Sequence, residues 1–164
     1  MSVAICPGSF DPITLGHLNI IRRTSRIFDE VIVCVMQNAS KTNSMFTIEE
    51  RAEMVRKTTE RFSNVRVETP GGLLAEYAKQ IPGAVIVKGL RAASDFDYEF
   101  QMNLINKKIN PDMETMFLTS SEKYTFLSSS IVREMAKYDA DLTGLIPEEI
   151  KEDIRQKAKE WRNK

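Results

Sequence analysis

His17 is the only histidine of the chain, and it stands in TLGH at the end of SVAICPGSFDPITLGH. In the first turn of a helix its ring would lie beside unpaired backbone N–H groups and the positive end of the helix dipole. A phosphate there would meet both. The same spacing reads equally as an ordinary helix start with Gly16 as a turn, because a lone TxGH match carries little weight. The stretch is not the dinucleotide fingerprint, which needs a tight three-glycine turn; here only Gly8 and Gly16 are present.

Two further clusters have the same chemical leaning. YTFLSSSIVRE sets Ser128, Ser129 and Ser130 at a helix start, with Arg133 one turn in. Such a cluster is most often an N-cap with spare serines, yet three hydroxyls beside helix-start N–H groups suit a polyphosphate. In KGLRAASDFDYE, Lys88 ends an apolar run and Gly89 and Arg91 follow it. Asp95 and Asp97 are adequately explained as complements to a helix dipole. Glu99 is less well explained and could receive a polar group of a ligand. Lys41 stands in another polar stretch, QNASKTNSMF. Asp11 is the nearest acidic candidate for a metal ligand, but in Phe-Asp-Pro a turn former is the preferred reading.

These clusters need a scaffold that brings segments over 100 residues apart to one place. Short β-branched runs at 3–6, 31–36, 65–67, 84–88 and 115–118 alternate with helical patterns. They read as parallel strands covered on both faces, with VRV (65–67) the edge strand. Helices are predicted at about 16–28, 47–62, 73–80 and 94–109, then from 128–130 and from near Pro147. Thr47 and Glu50 form a capping box for the second. The result is an α/β fold: a doubly wound five-stranded parallel sheet with C-terminal helices, in one domain over residues 1–164. Ligands of such sheets bind beyond the carboxyl ends of the strands, where strand order reverses. All the clusters named above follow strands.

The fourth helix has two apolar stripes, Tyr98, Met102, Ile105 and Ile109, and Phe96, Phe100 and Leu104. A helix apolar on two sides is buried on two sides. In a chain of 164 residues a contact between subunits is the favoured reading.

Bulk properties narrow the rest. Lys plus Arg equals Asp plus Glu, 23 each, which argues against a general nucleic-acid binder. No apolar run approaches membrane-spanning length, and MSVAICPG lacks the basic start of a secretory signal. Cys6 and Cys34 are expected to be buried free thiols; with one histidine they make a poor zinc set. The neighbours of Cys6, Ile5 and Pro7, do not suggest an activated nucleophile.

Taken in order and spacing, GSFDPITLGH, SKTNSMFTIEER, KGLRAASDFDYE and FLSSSIVRE resemble the phosphopantetheine adenylyltransferases of bacterial coenzyme A synthesis. TxGH alone marks only the wider nucleotidyltransferase superfamily, whose usual form is HxGH. The GLR and SKT segments are what resemble the phosphopantetheine branch rather than transferases with other acceptors. The resemblance implies a Rossmann-like, cytoplasmic homohexamer that uses Mg2+. It further implies transfer of adenylyl from ATP to 4′-phosphopantetheine, giving dephospho-coenzyme A and pyrophosphate.

By the same resemblance, Ser9, Phe10, His17, Gly89, Leu90, Arg91 and Glu99 bind ATP. So do Tyr124, Thr125, Phe126, Leu127, Ser128, Ser129 and Ser130. Ser9, Lys41, Leu74 and Lys88 hold phosphopantetheine. His17, Lys41 and Arg91 form the catalytic set, and no residue is assigned to a metal. Two positions depart from the family pattern. Ser9 replaces the usual Thr and keeps its hydroxyl. Lys88 stands where Arg is common; it keeps the charge but lacks the planar fork.

Overall fold

A computed structural model describes residues 1–37 and 44–163. Lys41 therefore lies outside the described residues. The elements run β1 (Val3–Gly8), α1 (Leu15–Thr24), β2 (Glu30–Val35), α2 (Ile48–Thr59), β3 (Val65–Glu68), α3 (Leu74–Ala78) and β4 (Val85–Leu90). They continue with α4 (Ala93–Ile109), β5 (Glu114–Thr119), α5 (Ser129–Lys137) and α6 (Lys151–Arg162). The five strands form one parallel sheet in the order β3-β2-β1-β4-β5, with β3 at an edge as VRV implies. Strand order reverses between β1 and β4, and a crevice opens there beyond their carboxyl ends.

β1 and β2 are apolar at successive positions because both faces are covered, whereas β5 leaves Glu114 and Met116 exposed on one face of the single chain. Ala4, Cys6, Val31, Val33 and Val35 face one core with side chains of α1, α2, α5 and α6. Ile5, Ile32, Cys34 and Ile86 face the other, with Ala75, Tyr77 and Ala78 of α3. Cys6 and Cys34 are free and buried. Burial pushes both thiols up to about 12, so neither is a thiolate at neutral pH. No helix among the described residues is long and apolar enough to cross a membrane.

Local signals set most boundaries, and the departures have physical causes. Thr47 and Glu50 exchange both bonds of the capping box at 3.2 and 2.8 Å. Helix α1 stops at Thr24 rather than near Phe28. The N–H groups of Arg26, Ile27 and Phe28 bond back to Arg23 and Thr24 as turns. Helix α3 likewise ends early, with Gln80 and Ile81 bonding to Tyr77 and Ala78. The turn after Pro147 is a 3-10 segment, Glu148–Ile150, before α6 begins at Lys151.

Two of the strands that run longer than the apolar pattern do so into motif residues. β1 extends through Gly8, paired with Val35; β4 extends through Leu90, paired with Thr119. Lys88 and Gly89 thus belong to a rigid strand rather than to its end or the loop after it. Gly89 is there because α1 packs against it: a Cβ would come within 2.8 Å of the Ile20 side chain.

No residue of α4 is buried in the single chain. Phe96, Tyr98, Phe100, Leu104 and Ile105 are between 43% and 61% exposed. The helix does not lie deep in the fold. Phe96 only stacks on Phe100 and meets Phe117 edge-on.

Candidate active site

A cleft of about 550 Å³ lies at the carboxyl ends of β1 and β4, walled by the starts of α1, α4 and α5. It brings together Ser9, Phe10, His17, Lys88, Gly89, Arg91, Glu99, Tyr124, Leu127, Ser128, Ser129 and Ser130. The sequence separates these residues by up to 121 positions, from Ser9 to Ser130. Four expected residues do not line it. Leu90 and Thr125 flank lining residues, Phe126 is 59% exposed, and Leu74 packs on the second core from the start of α3.

His17 is held by a variant capping box. Thr14, the N-cap of α1, accepts from the backbone N–H of His17 at 3.3 Å. The imidazole replaces the usual carboxylate: the backbone N–H of Thr14 donates to Nδ1 at 3.1 Å. A backbone N–H can only donate, so Nδ1 is an acceptor, and the neutral ring carries its proton on Nε2. The tautomer is thereby set by the fold. Phe10 packs edge-on against the ring at 5.1 Å. Phe10 itself has φ of 48° and needs Gly8, where a Cβ would lie 2.9 Å from its ring.

The serines divide their labour. Ser128 caps α5, accepting from Ile131 at 3.2 Å. Ser129 donates to the carbonyl of Pro12 at 2.7 Å, tying α5 to the loop before His17. Ser130 accepts from Arg133. The N-cap reading was correct for Ser128, and the others are not spare. Ser129 and Ser130 open α5, where backbone N–H groups lack intrahelical acceptors.

The basic residues are already oriented by acids. Arg91 donates from Nε to Asp95 at 3.2 Å and from Nη1 to the carbonyl of Leu127 at 3.0 Å. It joins the start of α4 to the turn before α5. Burial raises the Asp95 pKa, but hydrogen bonds from the Arg91 backbone and side chain outweigh it, and the net shift is down. Asp95 thus serves Arg91 directly, beyond any dipole effect. Glu99 accepts from Lys88 Nζ at 2.6 Å, both side chains being about four-fifths buried. An anion that takes Lys88 must compete with Glu99.

Asp11, Arg133 and Arg51 complete the frame, and of these Arg51 is the one that sequence reasoning passed over. The Asp11 carboxylate accepts from the backbones of Met45 and Phe46 at 3.0 and 2.9 Å. It is more than a local turn former. Arg133 donates to the Asp11 carbonyl at 2.6 Å. Arg51 bonds Ser9, Met36 and Gln37. The signal for Arg51 was available: it lies between Ile48, Ala52 and Val55 on the apolar stripe of α2, an odd place for a cation. For Thr14 it was the Thr-x-x-His spacing.

A parallel sheet with a phosphate-suited cleft at its switch point marks a doubly wound α/β protein built to bind a nucleotide or another phosphorylated ligand. A cytidylyltransferase-like family model matches residues 5–135. A nicotinate-nucleotide adenylyltransferase structure from Vibrio parahaemolyticus shares the fold. It has a TM-score of 0.71 at 19% identity and covers 100% of this chain and 98% of that one. The phosphopantetheine adenylyltransferase of Finegoldia magna is 54% identical, covering 92% of this chain and 93% of its own. That of Dictyoglomus turgidum is 50% identical over 97% of this chain and 99% of its own. The chain belongs to the phosphopantetheine adenylyltransferase family.

Proposed function

We propose that this protein transfers the adenylyl group of ATP to 4′-phosphopantetheine, releasing pyrophosphate and dephospho-coenzyme A. The observation that carries it is the meeting of His17, Lys88, Arg91 and the start of α5 around one cleft. The acceptor phosphate is already a nucleophile. One of its oxygens bonds the α-phosphorus as the bond from that phosphorus to the bridging oxygen breaks, and the pair leaves with pyrophosphate. No protein nucleophile is needed; the work is positioning and charge stabilisation.

In this reading His17, Arg91 and the starts of α1 and α5 hold the ATP phosphates. Lys41 and Lys88 hold the acceptor, Lys88 exchanging Glu99 for phosphate. Magnesium needs few protein carboxylates when phosphates and water ligate it. The acids here suit that arrangement: Asp11, Asp95 and Glu99 each accept from protein donors. No group of three His, Cys, Asp or Glu among the described residues could cage an ion. Bound on ATP, Mg2+ neutralises charge on the phosphate oxygens. The reading puts the reaction in the cytoplasm.

The direct test supplies ATP, Mg2+ and a panel of phosphorylated acceptors, with pyrophosphate as readout. Release is expected with phosphopantetheine and not with nicotinate mononucleotide or glycerol 3-phosphate. ATP binding without release for any acceptor would make the protein a nucleotide sensor. Lys41→Ala should raise the phosphopantetheine KM by about tenfold or more, the worth of one charged hydrogen bond, with ATP affinity within about twofold. A selective loss of ATP binding would reassign Lys41.

The assembly is a homohexamer built on α4. Its contiguous exposed apolar side chains are what a subunit contact needs. Phe100→Glu with Leu104→Glu should convert a six-subunit mass in light scattering to smaller species. An unchanged mass would move the contact elsewhere.

A further inference from the structure

Arg51 is 2% exposed, and its donors go to three different parts of the chain. Nη1 donates to the Ser9 carbonyl at 2.7 Å and to the Met36 carbonyl at 3.1 Å. Nη2 donates to Gln37 Oε1 at 2.9 Å, and Nε to the Thr47 carbonyl at 3.3 Å. Burying a cation is costly unless its donors are satisfied. Burial pushes the Arg51 pKa down, while the charges of Asp11 and Glu49 oppose that. If packing alone mattered at this place on α2, an aliphatic side chain would serve.

The partners of Arg51 and Asp11 share a feature. Met36 and Gln37 immediately precede residues 38–43, the segment that carries Lys41. Met45 and Phe46, bonded by the Asp11 carboxylate, follow it closely. Residues 36–37 and 45–46 are thus both tied to residues 8–11, since the Met36 N–H also donates to the Gly8 carbonyl at 2.8 Å. Arg133 of α5 reaches the Asp11 carbonyl and lies 3.6 Å from its carboxylate. The frame therefore joins residues 36–37 and 45–46 to the loop before His17 and to the helix of the serines.

We propose that Arg51 and Asp11 are positioning residues that register residues 36–37 and 45–46 against residues 8–11, setting where the acceptor sits relative to ATP. Neither acts on substrate; both act through the backbone they hold. The inference rests on the reading that this side of the cleft receives the acceptor. Their number of donors and acceptors explains the residue types. A planar fork spans Ser9, Met36 and Gln37 together, and a lysine cannot. A carboxylate accepts two adjacent N–H groups, and an amide would turn an NH2 toward one of them.

Steady-state kinetics of the full-length Arg51→Lys and Asp11→Asn variants test this, with ATP affinity measured by titration and folding by thermal unfolding. Each should raise the phosphopantetheine KM by about tenfold, since a displacement of about an ångström carries a cost of that order or more. The ATP Kd should stay within about twofold, because His17, Arg91 and α5 keep their own anchors. Combined, the two should raise KM by clearly less than the product of their effects, as both act through the one frame around residues 8–11.

A folded variant with unchanged phosphopantetheine KM, an equal loss of ATP affinity, or full multiplicativity overturns the proposal. If Arg51→Lys does not fold, Asp11→Asn decides it alone by the same KM and Kd criteria. Lys41→Ala separates the underlying reading. An acceptor KM that responds to Arg51→Lys but not to Lys41→Ala supports the frame and removes the role of Lys41.

Discussion

His17→Ala lowers kcat by about a hundredfold or more, the usual effect of losing one preorganised donor to a developing charge. The donor is Nε2–H, because Nδ1 is committed to the Thr14 N–H. The alanine variant also loses that capping acceptor, which costs about 1 kcal/mol. For a chain of this size that is a fall of about 2–4 °C in Tm. The two losses can be separated. His17→Asn restores an acceptor at the cap position but puts no N–H where Nε2 stood. It should recover the melting temperature and leave kcat low. If kcat survived in either variant and only ATP affinity fell, His17 would be a binding residue without a transition-state role.

Arg91→Ala should lower kcat/KM for ATP by about a hundredfold, and Arg91→Lys should recover only a small part. The reason lies in what Arg91 already holds. One face of the guanidinium is set by Asp95 and one donor by the Leu127 carbonyl, across 36 residues of chain. A lysine carries the charge but cannot meet Asp95 and Leu127 together while presenting further donors. Asp95→Asn should weaken ATP use by less, about threefold to tenfold, because it loosens Arg91 without removing it. Equal kinetics for the alanine and lysine variants at the wild-type level would mean that Arg91 is a structural tie between α4 and α5.

Much of this fold was legible without coordinates because its signals are local. Strand residues apolar at every position can only be covered on both faces, so runs such as VIVCV read as parallel strands. Thr47 and Glu50 lie three apart on one helix and must meet if the helix forms. The edge position of β3 follows from its broken apolar run. Boundaries were less legible at Gly8 and Leu90. Glycine and a motif residue look like loop, and only pairing with Val35 and Thr119 keeps them in the sheet.

The site divides along the same line. Residue types and motif spacing determined by themselves that the chain is a doubly wound α/β protein with anion-suited segments after its strands. They also identified its family likeness. Only the tertiary structure decided how those residues are held. Asp11 meets Met45 and Phe46 from 34 and 35 residues away, Arg51 meets Ser9 from 42, and Ser129 meets Pro12 from 117. Lys88 and Glu99 are an ion pair, although the sequence shows only a cation and an acid eleven residues apart. A periodic pattern reports which face of an element is buried, since that depends on neighbours within a turn. It cannot report which distant backbone group a buried charge will satisfy, because that is set by the packing of whole elements.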